Sequence, residues 1–198
     1  MDIQNIELEC PGCGRPVTIG QKECSCGRPI VISTFSSVAS MPLPELNKYA
    51  RSYQKALATN PDNTLLNNSV AMCYLKLKMY DKAFCAVEKA IEDNFDNPET
   101  YFYAAVSLLG GQKAFLTPRP KIDKVEEMLN AAVSIEPRGI FYLFWAYIKQ
   151  DYFKRKFLRT TPDYVAMLAT AKEYGYSDLD RENLFAILGV ECPAALLV

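Results

Sequence analysis

Four of the seven cysteines in this 198-residue chain fall within seventeen positions: Cys10, Cys13, Cys24 and Cys26. Their spacing is Cys-x2-Cys-x10-Cys-x-Cys, and the chain contains no histidine, so a metal bound here would be held by thiolates alone. Four thiolates make a tetrahedral sulfur cage that suits zinc, and a closed four-ligand shell leaves no position for substrate or activated water. The reading is a structural Zn2+, with iron in the same sulfur set and a chance cluster of thiols as alternatives. The tetrapeptide Cys-Gly-Arg-Pro occurs at 13–16 and again at 26–29. After the second thiolate of each pair the chain must turn so that backbone amides face the sulfurs, and glycine adopts the positive φ this requires.

Outside this cluster the chemistry-bearing residues are few. General acid–base work at neutral pH commonly recruits histidine, so no enzyme is expected. A reactive thiol needs a cationic neighbour or a helix N-terminus to lower its pKa, and Cys73 and Cys85 read as buried, inert thiols on two antiparallel helices. Cys192, in the terminal VECPAALLV, belongs either to a frayed tail or to a strip docked on the last helix. The segment KQDYFKRKFLR (149–159) carries Lys149, Lys154, Arg155, Lys156 and Arg159 against one acid. Its interleaved aromatics give it the pattern of an RNA-binding face, while its alternative is an amphipathic helix whose basic end complements the helix dipole. Arg15 and Arg28, at the two knuckle tips, join Lys154, Arg155 and Lys156 as candidate anion-binding residues. Against that stand Asp2, Glu7, Glu9 and Glu23 near the knuckles and a formal net charge of -1, which announces neither nucleic acid nor an anionic membrane.

The elements that must position the cysteines are short. IELEC before the first knuckle, PVTI between the two and PIVIS after the second are β-prone stretches that predict a small ribbon around the metal. Residues 4–33 resemble a zinc ribbon, a family of small β modules built from two such knuckles, with one departure: the second pair is Cys24-Ser-Cys26, one residue shorter than usual. The module is assigned to 1–33. Residues 34–44, within the Ser- and Pro-rich STFSSVASMPLP, predict a linker.

From Glu45 onward the apolar period is helical, and it repeats. SYQKALATNPDN (52–63) aligns with AVEKAIEDNFDN (86–97) at a spacing of 34 residues. The intervening 64–97 resembles one complete tetratricopeptide (TPR) repeat: Ala71 sits at a close helix approach, Tyr74 between the helices, Tyr80 at the start of the second helix, and Ala83 and Ala90 on its contact face. Lys78 and Phe95 stand where the pattern has Gly and Pro. A second unit begins at Pro98 with GGQKAFLTPRP as an enlarged loop that leaves Ala132 in the next contact position, and a third first-helix follows Pro137. A lone helix over 44–59 starts the stack, and segments at 161–175 and 180–189 close it. Thr161 or Asp163 and Asp180 are expected N-caps, and Gly175 and Gly189 the stops. The expected fold is therefore mainly α: a TPR-like α-solenoid of about eight helices over 45–159, capping helices and tail over 160–198, and the N-terminal β zinc ribbon.

The resemblance also implies where a partner would bind. In such stacks the first helices of the repeats line a concave face, here Asn68 and Met72, then Glu99, Phe102 and Val106, then Phe144. Asn68 is the only residue there suited to clamping a terminal carboxylate, so the face predicts an apolar peptide or helix of another protein as ligand. The competing expectation is that the chain's own final helices fill it. No leader peptide and no run of eighteen apolar residues is seen. The sum is an intracellular, cytoplasmic interaction adaptor without membrane association, and the alternative is a nucleic-acid-associated factor using the ribbon and the 149–159 segment.

Overall fold

A computed structural model describes residues 6–197; the side chain of Asp93 is not described. Expectations for residues 1–5, Asp2 included, lie outside these. The chain divides into two compact units, Met1–Phe95 and Asp96–Val198, so the division falls inside the repeat register and not in the Ser/Pro-rich segment.

In the first unit, β1 (Glu7–Glu9) and β2 (Pro16–Thr18) pair antiparallel with Leu8 opposite Val17. Both of those side chains are buried and their neighbours Glu7, Glu9 and Pro16 face out, as the period of two in a half-buried strand requires. The third expected strand, PIVIS, does not form; beyond one bridge between Glu23 and Pro29 its backbone is taken up by helix side chains. Helix α2 (Leu43–Leu57) presents Leu46, Tyr49, Ala50 and Tyr53 at i, i+3, i+4 and i+7, all buried. Along this stripe the Tyr49 hydroxyl donates to Pro29 O (3.1 Å), the Tyr53 hydroxyl to Ile30 O (2.8 Å) and the Ser52 hydroxyl to Glu9 O. A buried carbonyl must find a donor, and for PIVIS two come from the tyrosines of one helix, which removes the need for a ladder. Burial pushes the Tyr49 phenol up to about 12 and Tyr53 well above its ordinary value, so both remain protonated donors.

The predicted linker is not a spacer. It contains the short helix α1 (Ser36–Ala39) with Phe35 and Val38 buried. Helices α3 (Thr64–Lys76) and α4 (Tyr80–Asp93) form the antiparallel pair of the 34-residue register, with Ala71, Ala83 and Ala90 fully buried. Asn63 caps α3 by accepting from Leu66 N. Lys78, in the place of the pattern's Gly, holds a left-handed φ of 56°, and the Met79 N–H reaches Tyr74 O at 2.8 Å, the long bond of a Schellman turn.

In the second unit, α5 (Pro98–Leu109) and α6 (Arg119–Ile135) pair across the enlarged loop. That loop is pinned: Ala114 is fully buried, Ala114 N donates to Tyr147 Oη and Phe115 N to Asp151 Oδ2. Helix α7 (Gly139–Ile148) passes into a π-helical turn, Lys149–Lys154, where one uninterrupted helix was expected. A Cβ on Gly139 would lie 2.2 Å from Gly175 O and 2.6 Å from Ala171 O, so α7 can start against the end of α8 (Tyr164–Tyr174) only with glycine there. Asp163 caps α8 as expected. Helix α9 (Asp178–Leu188) is capped by Ser177 in a capping box whose third residue is Asp180; Asp180 is the box's partner and not the cap. The tail ends in a docked turn, Ala194–Leu196, with Leu196 fully buried, which decides the position of the VECPAALLV strip. Nine α-helices are thus present among the described residues, the eight expected and α1.

Candidate functional site

The two knuckles are built alike and differ by one residue. In the first, Cys10 N donates to Arg15 O and Gly14 N to Cys10 O, both at 2.8 Å; in the second, Cys24 N donates to Arg28 O and Gly27 N to Cys24 O, also at 2.8 Å. The residue missing from Cys24-Ser-Cys26 shortens an i+4 turn to an i+3 turn without losing either bond. Gly14 and Gly27 take φ of 75° and 77°, as the turn argument requires. At Gly12 a Cβ would meet Arg28 Cγ at 2.7 Å and Cys26 Sγ at 3.4 Å, so the first glycine of CPGCG lets the two knuckles approach.

Together they bring the four Sγ atoms within 4.8 Å of one another, with Cys10–Cys26 at 3.5 Å and Cys13–Cys24 at 3.6 Å. A tetrahedron with metal–sulfur bonds of about 2.3 Å has edges of about 3.8 Å, so the four Cys lie close enough to bind one metal ion. Cys10 and Cys24 are buried, Cys13 and Cys26 exposed. The Cys26 backbone amide holds the Cys24 thiol down at about 6, and desolvation pushes Cys26 up to about 12. Four thiols this close ionise together only around a cation. Among the described residues no other group of three or more metal-ligating side chains is brought together.

The expected partner-binding residues lie elsewhere than on an open groove. Met72, Phe102, Val106 and Phe144 are buried, at 1%, 6%, 0% and 0% exposure, so the expectation of an exposed apolar patch is not met. What covers them differs between the units. On α3, Ser69 exchanges hydrogen bonds with the backbone of Ile32 and Lys76 donates to Ala39 O; Met72 lies on the same stripe, about one turn from each. In the second unit Phe102 packs on Phe141 and Phe144, with ring centroids 4.9 and 5.8 Å apart, and Tyr147 meets Phe185 of α9 at 5.5 Å. Helix α9 touches both α5 and α7, so the chain's own last helix fills that inner face. Asn68 and Glu99 are half-buried, and the Glu99 carboxylate is paired with Arg138.

Each candidate anion-binding residue has a neighbour in its own unit, a carboxylate for Arg28 and Arg155 and a hydroxyl or a ring for the others. Arg28 pairs with Glu45, Arg15 donates to Ser25 Oγ at 2.9 Å, and Arg155 pairs with Asp151 at 2.6 Å. Lys154 and Lys156 lie over the Tyr164 and Tyr152 rings at 4.3 and 3.9 Å. Lys149, read as part of the basic face, is buried, paired with Glu126 at 2.6 Å and bonded to Thr160 Oγ1 at 2.7 Å. Tyr152 and Phe153 are 4% exposed, which leaves Phe157 as the one exposed ring of this segment, and the nucleic-acid alternative finds no support. Cys73 is fully buried, its thiol pushed up to about 12 by desolvation. Cys85 is exposed on α4, against the expectation of a buried thiol. The buried Lys149–Glu126 pair carries no signal in the sequence, because a lysine amid bases reads as surface; in the structure Trp145 Nε1 also donates to Glu126.

No family model matches the chain, and no curated protein matches it. Among solved structures the chain is similar to MamA MSR-1 C2, a TPR-like protein, with a TM-score of 0.52 and 17% identity over 71% of each chain. At that identity the likeness shows the fold: mainly helical and TPR-like, with a small two-stranded sheet at the N-terminal end. No helix among the described residues is long and apolar enough to cross a membrane.

Proposed function

We propose that the chain is a non-catalytic protein-interaction scaffold whose N-terminal zinc ribbon is held by one structural zinc ion on Cys10, Cys13, Cys24 and Cys26. The TPR-like fold supports the scaffold reading. The donor set supports zinc: four sulfurs, no histidine in the chain, and knuckle glycines that let backbone amides face the sulfurs. The observation that carries a structural role is closure of the cage, since four protein ligands leave the ion no open position for chemistry. Bound zinc would screen four thiolates from one another and fix the ribbon against α2 and α3. Zinc would then hold one flank of the helical unit in place as well as its own module.

The partner in this reading is another protein, taken up as a peptide or helix in the cytoplasm. A partner using the inner faces meets Asn68 and Glu99 at their edges and must move α1 or α9 aside to reach Met72, Phe102, Val106 or Phe144. Metal analysis of protein purified without chelators tests the premise: about one zinc per chain, with no iron absorption, is expected. A zinc content near zero would remove it.

A further inference from the structure

The segment leaving the π-helical turn carries the most exposed apolar surface of the second unit. From Tyr152 to Pro162 the chain holds four bases, Lys154, Arg155, Lys156 and Arg159, and no acid. Between them Phe157 is 96% exposed and Leu158 42%, and Val165 at the start of α8 is 55% exposed. Phe157 also holds a left-handed φ of 56°. It closes the turn in a Schellman arrangement, with Phe157 N to Lys154 O at 3.0 Å and Leu158 N to Phe153 O at 2.9 Å. Glycine is the usual residue there, and an L-aromatic one is disfavoured. A bulky ring thus stands where glycine would suit the backbone better, and its side chain packs on almost nothing; folding does not account for it.

The surrounding cations are held in place around this tip. Lys154 donates to Tyr164 Oη at 2.8 Å while lying over its ring, and Lys156 lies over Tyr152. Among the described residues only Arg155 of the four has a carboxylate partner, Asp151. Beside the tip is a cleft of about 600 Å3 whose polar wall includes Lys149, Lys154, Arg159, Thr160, Thr161 and one acid, Asp163, whose carboxylate caps α8.

We propose that residues 154–165 form an attachment loop for a bilayer containing anionic phospholipid: Phe157 and Leu158 enter the acyl boundary, Lys154, Lys156 and Arg159 face lipid phosphates, and the cleft receives a headgroup. This reverses the expectation drawn from the net charge, because a membrane meets the local field and not the sum. RNA fits less well, since Tyr152 and Phe153 are buried, the rings of Phe115 and Tyr164 already lie under cations, and Phe157 alone is left for a base to stack on. An acidic peptide would match the charges, but a peptide groove keeps its anchors in its floor, and here they stand out from the surface.

Flotation of the full chain with vesicles tests this. The chain is expected to float with phosphatidylcholine–phosphatidylserine vesicles, to lose that association as salt is raised, and not to float with phosphatidylcholine alone. Phe157→Gly should weaken partition by about tenfold or more while leaving the melting temperature unchanged or higher, which separates an anchor from a structural residue. Combined Lys154→Gln, Lys156→Gln and Arg159→Gln should abolish the preference for phosphatidylserine. Failure of the wild-type chain to float, equal flotation of Phe157→Gly, or binding of poly(U) or a Glu/Leu peptide without vesicle association would each overturn the proposal.

Discussion

The two units cover the inner faces of their helices by opposite means. In Met1–Phe95 the face of α3 is covered by a short segment, Ile32 to Ala39, that ends in the one-turn helix α1 and is attached through hydroxyl and amine groups: Ser69 on Ile32, Lys76 on Ala39, with Tyr49, Tyr53 and Ser52 doing the same for the ribbon behind it. In Asp96–Val198 the face of α5 and α7 is covered by a regular helix through aromatic contact, Phe102, Phe141, Phe144, Tyr147 and Phe185. Aromatic burial is non-directional and holds a helix by area. Hydrogen bonds to a short segment without a ladder hold it only while its own shape is fixed, and in the first unit the proposed metal would fix that shape. The lesson is that each unit covers its own inner face, the first with a segment that the proposed metal would hold in shape and the second with a helix that needs no ligand.

The comparison breaks first at Phe144. If α9 packs against a true core, Phe144→Ala should lower stability by about 3–5 kcal/mol, and urea unfolding measures it. A near-neutral result would mean that the face is open and that α9 rests on it loosely. The next effect belongs to the ion pair beneath the same helices. Lys149→Met strands the Glu126 carboxylate, which is 18% exposed at its side chain, and should cost about 2–3 kcal/mol; pairing it with Glu126→Gln should recover much of the loss in a double-mutant cycle. If Lys149→Met is silent, the second unit is held by aromatic area alone. The smallest effect is in the first unit, where Lys78→Gly relieves a left-handed lysine and should raise stability by about 0.5–1 kcal/mol after the entropy of the unfolded chain is allowed for. A destabilised Lys78→Gly would show that the lysine side chain contributes more than its backbone costs.

Much of this architecture was legible in the residues. Ala71, Ala83 and Ala90 recur where helices approach, and their small size is itself the signal; Gly14 and Gly27 follow the cysteines because a turn at a sulfur needs positive φ. What was not legible depends on partners distant in sequence. PIVIS has strand composition, yet the hydroxyls of Tyr49 and Tyr53 replace its ladder. The apolar stripe of Met72 and Phe102 says that something covers it and not whether the cover is a partner, a linker or α9. The π-turn at Lys149–Lys154 is a shift of hydrogen-bond register that leaves no compositional mark, and the buried Lys149 lies within it. Local chemistry was readable from spacing; coverage was not, because it is decided by contacts between segments whose spacing carries no period.

Hydrogen exchange with and without the metal tests the contrast most directly. Chelation, or Cys13→Ser, should strip protection from the ribbon and, with it, from α3 over Thr64–Lys76, because Ile32 and Ala39 then have no fixed frame from which to bond Ser69 and Lys76. Phe102 to Leu109 of α5, Gly139 to Ile148 of α7 and Leu184 to Leu188 of α9 should keep their protection. The same exchange pattern in both states, with α3 as protected after chelation as before, would contradict the claim that a metal-held segment closes the first unit's inner face.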